Sequence, residues 1–111
     1  MQRVIHGVRV HGVDLDSRTG CAHYRSELDI IAIKFKCCRA YYPCYTCHEA
    51  KAGHPAQVWQ RCEFGKQAIL CGACGQELTI DQYLQCGAVC PACQSGFNPG
   101  CKYHYHLYFA I

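Results

Sequence analysis

Residues 37–54, CCRAYYPCYTCHEAKAGH, place four cysteines and two histidines within one short stretch. Further pairs flank this stretch, with one Cys-x-His motif before it and two Cys-x-x-Cys motifs after it. Thiolate and imidazole are the ligands that zinc prefers, and four of them complete a tetrahedral structural site. The paired residues therefore predict three zinc ions. The predicted ligands are Cys21, His23, Cys37, Cys38, Cys44, Cys47, His48, His54, Cys71, Cys74, Cys90 and Cys93.

The length and cysteine content of the chain also favour metal. A chain of 111 residues makes one domain or two small lobes, and it cannot bury a large core by apolar contacts alone. Residues 1–16 lack the apolar stretch of a secretory signal, and no stretch approaches the roughly 20 apolar residues of a membrane helix. We therefore expect a reducing compartment, the cytoplasm by default, in which cysteines interleaved with histidines bind metal instead of forming disulfides.

The net charge argues against nucleic acid as a partner. The formal charge of +3 treats every cysteine as neutral, whereas ligand cysteines are thiolates, so the zinc-loaded chain would be close to neutral. The lysines and arginines are scattered, and their closest grouping, Lys34, Lys36 and Arg39, is typical of a solvated strand end. We expect a protein partner, no nucleic acid, no membrane and a monomeric chain.

The motifs of zinc enzymes are incomplete in this chain. The pair His48-Glu49 lacks the second histidine of H-E-x-x-H, because position 52 is alanine. The zinc-deaminase signature is half present around Cys44, but the chain contains no His-x-Glu element. No Cys-x-x-Cys follows a strand at the head of a long helix, as it does in thioredoxins. We therefore expect that the protein is not an enzyme.

Closed metal sites favour a binding module instead. Four protein ligands around zinc leave no coordination position for water or substrate. Tyr41, Tyr42, Tyr45 and Trp59 are candidates for a protein interface, and they are equally compatible with the core of a small domain. The pattern predicts a zinc-stabilised, non-catalytic protein-interaction module.

Two strands are predicted before the central stretch. Residues 3–13 alternate loosely between apolar and polar side chains and predict a strand or hairpin, with Gly7 and Gly12 at turns. Residues 27–36 alternate more clearly and predict the best-defined strand of the chain.

The central stretch itself predicts a compact metal-binding lobe. Neighbouring side chains in an extended segment point to opposite faces, so Cys37 and Cys38 either contribute to two sites or reach one ion across a bend. The Cys44-x-x-Cys47 pair predicts a tight metal-binding turn. A turn of helix is expected over residues 49–52.

The second half of the chain resembles a zinc ribbon or a treble clef. A short strand over residues 68–70 leads into the first Cys-x-x-Cys pair, and Gly75 suits the left-handed turn that closes such a knuckle. Thr79 and Gln82 have the spacing of a capping box and predict a short helix between the two pairs. Residues 103–109 predict a closing strand.

The order of the ligands resembles one known family. Cys21-Ala-His23-Tyr24, followed by the central stretch, resembles the CHY-type zinc finger, which is named from its Cys-x-His-Tyr opening. Residues 97–104, FNPGCKYH, resemble the tail of the short, stand-alone proteins of that family. The resemblance covers residues 20–109 and implies three structural zinc ions in an irregular, loop-rich fold.

Carried over position by position, the resemblance implies that the first eight ligands hold two ions and the last four cysteines hold the third. The division of the eight between two ions stays open at this point. Larger family members look like ubiquitin ligases with an added RING domain, and that activity is not carried over. A short eukaryotic member assists assembly of small Tim proteins in the mitochondrial intermembrane space. The resemblance therefore implies an alternative location there, and an alternative function as a zinc-handling or thiol-exchange factor for cysteine-rich client proteins.

Together these observations predict a small, metal-stabilised α+β fold with short antiparallel strands. We expect an N-terminal strand or hairpin over residues 1–19, and a CHY lobe with two zinc ions over residues 20–60. A zinc-ribbon-like lobe with one zinc ion and the closing strand is expected over residues 61–111.

Three cysteines lie outside the predicted ligands, namely Cys62, Cys86 and Cys101. Cys86 is close enough in sequence to Cys90 to compete with it as a ligand. Cys101 with His104 or His106 would make a further site, or else a buried thiol beside surface imidazoles.

Overall fold

The computed structural model describes residues 2–12, 15, 19–21, 29–97 and 107–110. These residues form six short strands, two short helices and one turn of 3₁₀-helix. The strands are β1 (Gln2–Ile5), β2 (Val8–His11), β3 (Ile31–Lys34), β4 (Tyr41–Tyr42), β5 (Gln67–Cys71) and β6 (Glu77–Thr79). The helices are α1 (Tyr45–Lys51) and α2 (Ile80–Gln85), and the 3₁₀ turn is Arg61–Glu63.

One mixed sheet joins all six strands in the order β1-β2-β4-β3-β5-β6. The β2–β4 pair is parallel and the other four pairs are antiparallel. The sheet therefore runs from the N-terminal hairpin through the central stretch to the ribbon, and β3 pairs directly with β5 across the predicted boundary between lobes. The fold is a small α+β unit, as the sequence predicts.

The N-terminal hairpin forms where the alternation predicts it. Strands β1 and β2 pair antiparallel, and His6 and Gly7 make the turn between them in left-handed conformations, with φ of +50° and +81°. Glycine tolerates this region without steric cost, whereas histidine does not, so the His6 conformation is maintained by its contacts. Gly12 follows the end of β2.

Strands β3 and β5 form the centre of the sheet. Ile31, Ala32 and Ile33 are all buried, and so are Ala68 to Cys71 on β5. Of the strand predicted over residues 27–36, the structure forms β3, and the described residues 29, 30, 35 and 36 are not part of it. Residues 22–28 lie outside the described residues. Burial on both faces fits the run of apolar side chains in these strands.

Helix α2 begins where the capping box predicts. The Thr79 hydroxyl accepts a hydrogen bond from the Gln82 N–H at 3.1 Å, and the Gln82 side chain accepts one from the Thr79 N–H at 2.9 Å. This reciprocal pair satisfies two backbone donors at the helix start. The helix then buries Ile80 and Tyr83 against the core.

The C-terminal residues close the core beside Trp59. The Trp59 N–H donates to the Tyr108 carbonyl and the Ala110 N–H donates to the Trp59 carbonyl, both at 2.8 Å. Phe109 forms a parallel bridge with Trp59 and is 1% exposed. Of the closing strand predicted over residues 103–109, only Phe109 forms a bridge, and Leu107 and Tyr108 lie in a turn. Residues 103–106 lie outside the described part of the chain. Within that part, no helix is both long and apolar enough to span a membrane.

Candidate metal centres

Eleven of the twelve predicted ligands lie in three clusters, within each of which the ligand atoms are at most 4.8 Å apart. The twelfth, His23, lies outside the described residues, as do Cys101, His104 and His106. We call the clusters buried, mixed and ribbon. The buried cluster is Cys21, Cys44 and Cys47; the mixed cluster is Cys37, Cys38, His48 and His54; the ribbon cluster is Cys71, Cys74, Cys90 and Cys93.

The buried cluster forms at the start of α1. Cys44 is the N-cap of the helix, and its sulfur accepts a hydrogen bond from the Cys47 N–H at 3.4 Å. The Cys21 and Cys44 sulfurs are 3.8 Å apart, and all three cysteines are buried. Gly12 packs directly against this cluster, because a methyl group added there would lie 3.2 Å from the Cys47 sulfur.

The mixed cluster takes one ligand, His48, from the same helix. His48 Nε2 lies 3.1 Å from the Cys37 sulfur and 3.9 Å from the Cys38 sulfur. The His48 imidazole is completely buried and stacks on the Phe35 ring, with centroids 4.2 Å apart. The His54 ring meets His48 edge-on at 5.0 Å and is exposed, as is Cys38. One side of this cluster therefore faces solvent.

The structure shows how seven of the eight first-half ligands divide, His23 lying outside the described residues. Cys37 and Cys38 lie in one cluster, so the doublet bends toward a common centre and does not feed two sites. Cys47 and His48 are neighbours in α1, yet they belong to different clusters. Successive helical side chains are about 100° apart around the axis, which turns Cys47 and His48 to different sides. The ligand pairs of the two clusters consequently alternate along the chain.

The ribbon cluster is built from two consecutive Cys-x-x-Cys turns. The Cys71 and Cys93 sulfurs are 3.8 Å apart, and so are the Cys74 and Cys90 sulfurs. Cys71 and Cys90 are buried, whereas Cys74 and Cys93 are exposed. Gly75 has a φ of +83°, in agreement with the left-handed position predicted for it.

The spacing of the sulfurs fits tetrahedral zinc. A Zn–S bond of about 2.3 Å places two ligand sulfurs about 3.8 Å apart across a tetrahedral edge. The observed sulfur–sulfur separations are 3.8 Å in the buried and ribbon clusters and 3.9 Å between Cys37 and Cys38. A disulfide would bring the sulfurs to about 2.05 Å. The residues present therefore fit three zinc ions, with His23 the candidate for the fourth position of the buried cluster.

Protonation of the thiols fits the same interpretation. The neighbouring Cys21 and Cys47 thiols, with burial, raise the pKa of Cys44, and burial raises the pKa of Cys71. Hydrogen bonds from Ser95 instead lower the pKa of Cys93 to about 6. Crowded thiolates repel one another without a cation, so binding of zinc to these clusters must release protons.

Residues outside the predicted ligand set support the clusters or lie away from them. The Cys86 thiol donates to the Tyr83 carbonyl at 3.1 Å at the end of α2, and it belongs to none of the three clusters. Cys62 is exposed in the 3₁₀ turn. His6 Nε2 donates to the Gly72 carbonyl at 2.9 Å, which fixes the hairpin turn against the first ribbon knuckle. Sequence patterns did not single out this contact, because it joins residues far apart in the chain.

The aromatic side chains proposed as an interface belong mainly to the core. Tyr41, Tyr42 and Trp59 are between 3% and 5% exposed. The Trp59 indole donates to the Lys34 carbonyl at 2.7 Å, and the Tyr41 hydroxyl donates to Glu77 at 2.7 Å. Of the two alternatives that the sequence leaves open, the core one describes these three side chains, because a chain of this size needs its aromatic rings to fill the space around the sheet.

The sequence matches known proteins along most of its length. The CHY zinc finger family matches residues 21–103. Helper of Tim protein 13 of Saccharomyces cerevisiae is 42% identical over 103 residues, which cover 90% of this chain and 89% of that protein. Helper of Tim protein 13 of Kluyveromyces lactis is 38% identical over 91% of this chain and 88% of its own length. An uncharacterized protein of Schizosaccharomyces pombe is 36% identical over 90% of this chain and 88% of its own length. No solved structure matches this chain.

Proposed function

Because this chain belongs to the CHY zinc finger family and its clusters fit zinc, we propose that it is a non-catalytic, zinc-stabilised module that binds other proteins during their assembly. The observation that carries this proposal is the closed ligand sets. The mixed and ribbon clusters each offer four protein ligands, which leave no open position for a substrate or an activated water. The names of the two yeast relatives support Tim proteins as the clients.

One groove of the described surface is suited to contact a protein partner. The groove has a volume of about 290 Å³ and is lined by Lys34, Arg39, Trp59, Lys66 and Gln67. None of its three cations forms an ion pair with a described residue, whereas the nearby Lys36 is paired with Glu63 at 2.6 Å. Trp59 is 3% exposed, so the polar side chains supply most of the accessible lining.

Zinc loading leaves this groove positive. A zinc ion with two thiolates and two neutral imidazoles is formally neutral, so the mixed cluster beside Arg39 does not cancel the three cations. The ribbon cluster would carry a formal charge of about −2 by the same count. Acidic side chains of a client protein are therefore the groups that we propose for the groove. Nucleic acid is a poorer fit, because the aromatic rings needed for base stacking are buried.

The test uses calorimetry to measure binding of the zinc-loaded chain to a reduced small Tim protein. Reversal of the groove charges in K34E/R39E/K66E should weaken binding by about tenfold or more and reduce its dependence on salt. The control is K51E, which reverses an exposed lysine on α1 and should leave affinity within about twofold. Equal effects of both changes would reject the groove. The absence of any binding to the client would reject the proposed function itself.

A second candidate function is zinc handling, and the exposure of ligands in two of the clusters favours it. Cys38 and His54 are exposed in the mixed cluster and Cys74 and Cys93 in the ribbon cluster, whereas every described ligand of the buried cluster is buried. An acceptor can reach an exposed ligand and displace it stepwise. The test is a chelator titration with native mass spectrometry. Release of one ion well before the other two would support transfer, and simultaneous release with unfolding would leave only the structural role.

The relatives also bear on where the protein acts. The sequence predicts the cytoplasm, with the mitochondrial intermembrane space as the alternative. The similarity to the two Helper of Tim proteins supports the intermembrane space as our proposed location. Fractionation of mitochondria and protease protection of the endogenous protein would test this assignment.

A further inference from the structure

Three turns of this chain share one backbone conformation, although only two of them contain Cys-x-x-Cys. In each six-residue turn, the N–H of position one donates to the carbonyl of position six. These bonds are Phe35 to Ala40 at 3.0 Å, Cys71 to Gln76 at 3.0 Å and Cys90 to Ser95 at 2.9 Å. The N–H of position five donates back to the carbonyl of position one. These bonds are Arg39 to Phe35 at 2.7 Å, Gly75 to Cys71 at 2.8 Å and Gln94 to Cys90 at 2.8 Å.

The fifth residue of each turn is also left-handed. Its φ is +54° at Arg39, +83° at Gly75 and +64° at Gln94. Two of these residues carry side chains, for which this region is sterically unfavourable, so the conformation is imposed by the turn. Residues 35–40 therefore share with the two ribbon knuckles both backbone hydrogen bonds and the left-handed fifth residue.

The difference lies in the side chain at the first position. Position four is a cysteine in all three turns, namely Cys38, Cys74 and Cys93. Position one is a ligand cysteine in the two ribbon turns, whereas it is Phe35 in the first turn. A phenyl ring cannot bind metal, and the missing thiolate is supplied by Cys37 at position three.

The Phe35 ring lies against the metal centre. It is 1% exposed and stacks on the His48 imidazole with an interplanar angle of 17°. Tyr42 and Tyr108 pack edge-on against the same ring at 5.6 and 5.5 Å, which fixes its orientation. The ring thus fixes one face of the imidazole whose Nε2 lies 3.1 Å from the Cys37 sulfur.

The geometry points to residues 35–40 as a third zinc knuckle in which Phe35 has replaced the first ligand and serves as the positioning residue for His48. Two roles follow for this one side chain. It offers no ligand at the first position, so that Cys37, two residues further along, supplies the thiolate. It also holds the imidazole in the orientation needed to complete the mixed cluster. Partner binding is not required for either role.

The first test restores the knuckle that the sequence lacks. In F35C/C37A the ligand at position three is removed and a thiol is placed at position one, which recreates the Cys-x-x-Cys spacing with Cys38. We expect three zinc ions by native mass spectrometry under reducing conditions. The matched control, F35A/C37A, loses the same ring and gains no thiol, and it should not bind the ion of the mixed cluster. Equal ion counts for the two variants, with the ribbon ion retained in both, would overturn the proposal.

If both double variants lose every ion, a second measurement tests whether Phe35 positions His48. Phe35→Leu keeps all ligands and most of the apolar volume, but it removes the stacked ring. With Co²⁺ as the probe, we expect the affinity of the mixed cluster to fall about 10–100-fold, as for other residues that orient metal ligands. Its visible absorption bands should shift, while those of the ribbon cluster stay unchanged. Unchanged bands and affinity for the mixed cluster would overturn the positioning role.

Discussion

The two halves of this molecule build their metal centres from similar ligands in different orders. In the ribbon cluster, two consecutive Cys-x-x-Cys pairs bind around one centre. In the first half, the ligand pairs alternate, so that Cys21 joins Cys44 and Cys47 while Cys37 and Cys38 join His48 and His54. Alternation interlocks the two loops, because each cluster closes a segment that contains ligands of the other. The ribbon can therefore close by itself, whereas the buried and mixed clusters are expected to form together.

Removal of all metal is the broadest test, and it should have the largest effect. Structural zinc contributes on the order of 10 kcal/mol per site in small domains, more than the stability of a typical domain. A reduced sample dialysed against a strong chelator should lose NMR dispersion along the whole chain. A dispersed spectrum limited to β5, β6 and α2 would sharpen the comparison, because it would mean that the ribbon half folds without metal. A fully native spectrum would contradict the role of metal in both halves.

Single ligand deletions address the interlocking directly. Cys47→Ala removes a thiolate and loosens α1, the helix that also carries His48, so we expect both first-half ions to be lost. Cys74→Ala should release only the ribbon ion. Each lost site should lower stability by several kcal/mol, up to about 10. Native mass spectrometry gives the ion counts, and retention of the mixed-cluster ion in the Cys47 variant would show that the two clusters are independent.

Two left-handed glycines provide a smaller, matched comparison between the halves. Gly53 and Gly75 have φ of +71° and +83°, so alanine at either position should cost about 1 kcal/mol from backbone strain. A methyl group at Gly75 would also lie 2.5 Å from His6 Cβ, whereas none of the described atoms lies within 4 Å at Gly53. We expect Gly75→Ala to cost about 2–4 kcal/mol in urea unfolding at fixed excess zinc. In an H6G background, which removes the close contact, Gly75→Ala should cost only about as much as Gly53→Ala. A cost as large as in the wild-type background would exclude the hairpin contact as its cause.

The smallest effect concerns one side-chain hydrogen bond between the halves, from Tyr41 to Glu77. Burial, followed by the bond to Glu77, raises the pKa of Tyr41 above its usual value of 10. The folded state then holds this proton more tightly than the unfolded state, so its contribution to stability is complete below about pH 10 and is lost as the pH rises further. Tyr41→Phe should cost about 1 kcal/mol at pH 7 and should flatten the decline above pH 10. The control Glu77→Gln keeps an acceptor and should flatten it less. An identical decline in the wild type and the Phe variant would contradict this assignment.

Local patterns predicted the parts of the fold that depend on neighbours in sequence. The Gly7 turn, the capping box of Thr79 and Gln82, and the left-handed Gly75 all form as expected, because each depends on residues within one turn of chain. Local patterns did not predict which strands pair with one another in the sheet. The parallel pairing of Val10 with Tyr41 and the pairing of β3 with β5 depend on which apolar faces meet in the core.

The sequence by itself determined the chemistry of this protein, because ligand type and spacing are local properties of the chain and zinc accepts few other donor sets. Cys37 and Cys38 could be recognised as ligands from their neighbours alone, but nothing in their order told whether they serve one ion or two. Only the tertiary structure decided that question. Helix α1 directs the neighbouring side chains of Cys47 and His48 toward different clusters. Phe35 packs on the His48 imidazole. Neither direction can be read from the spacing of residues in the sequence.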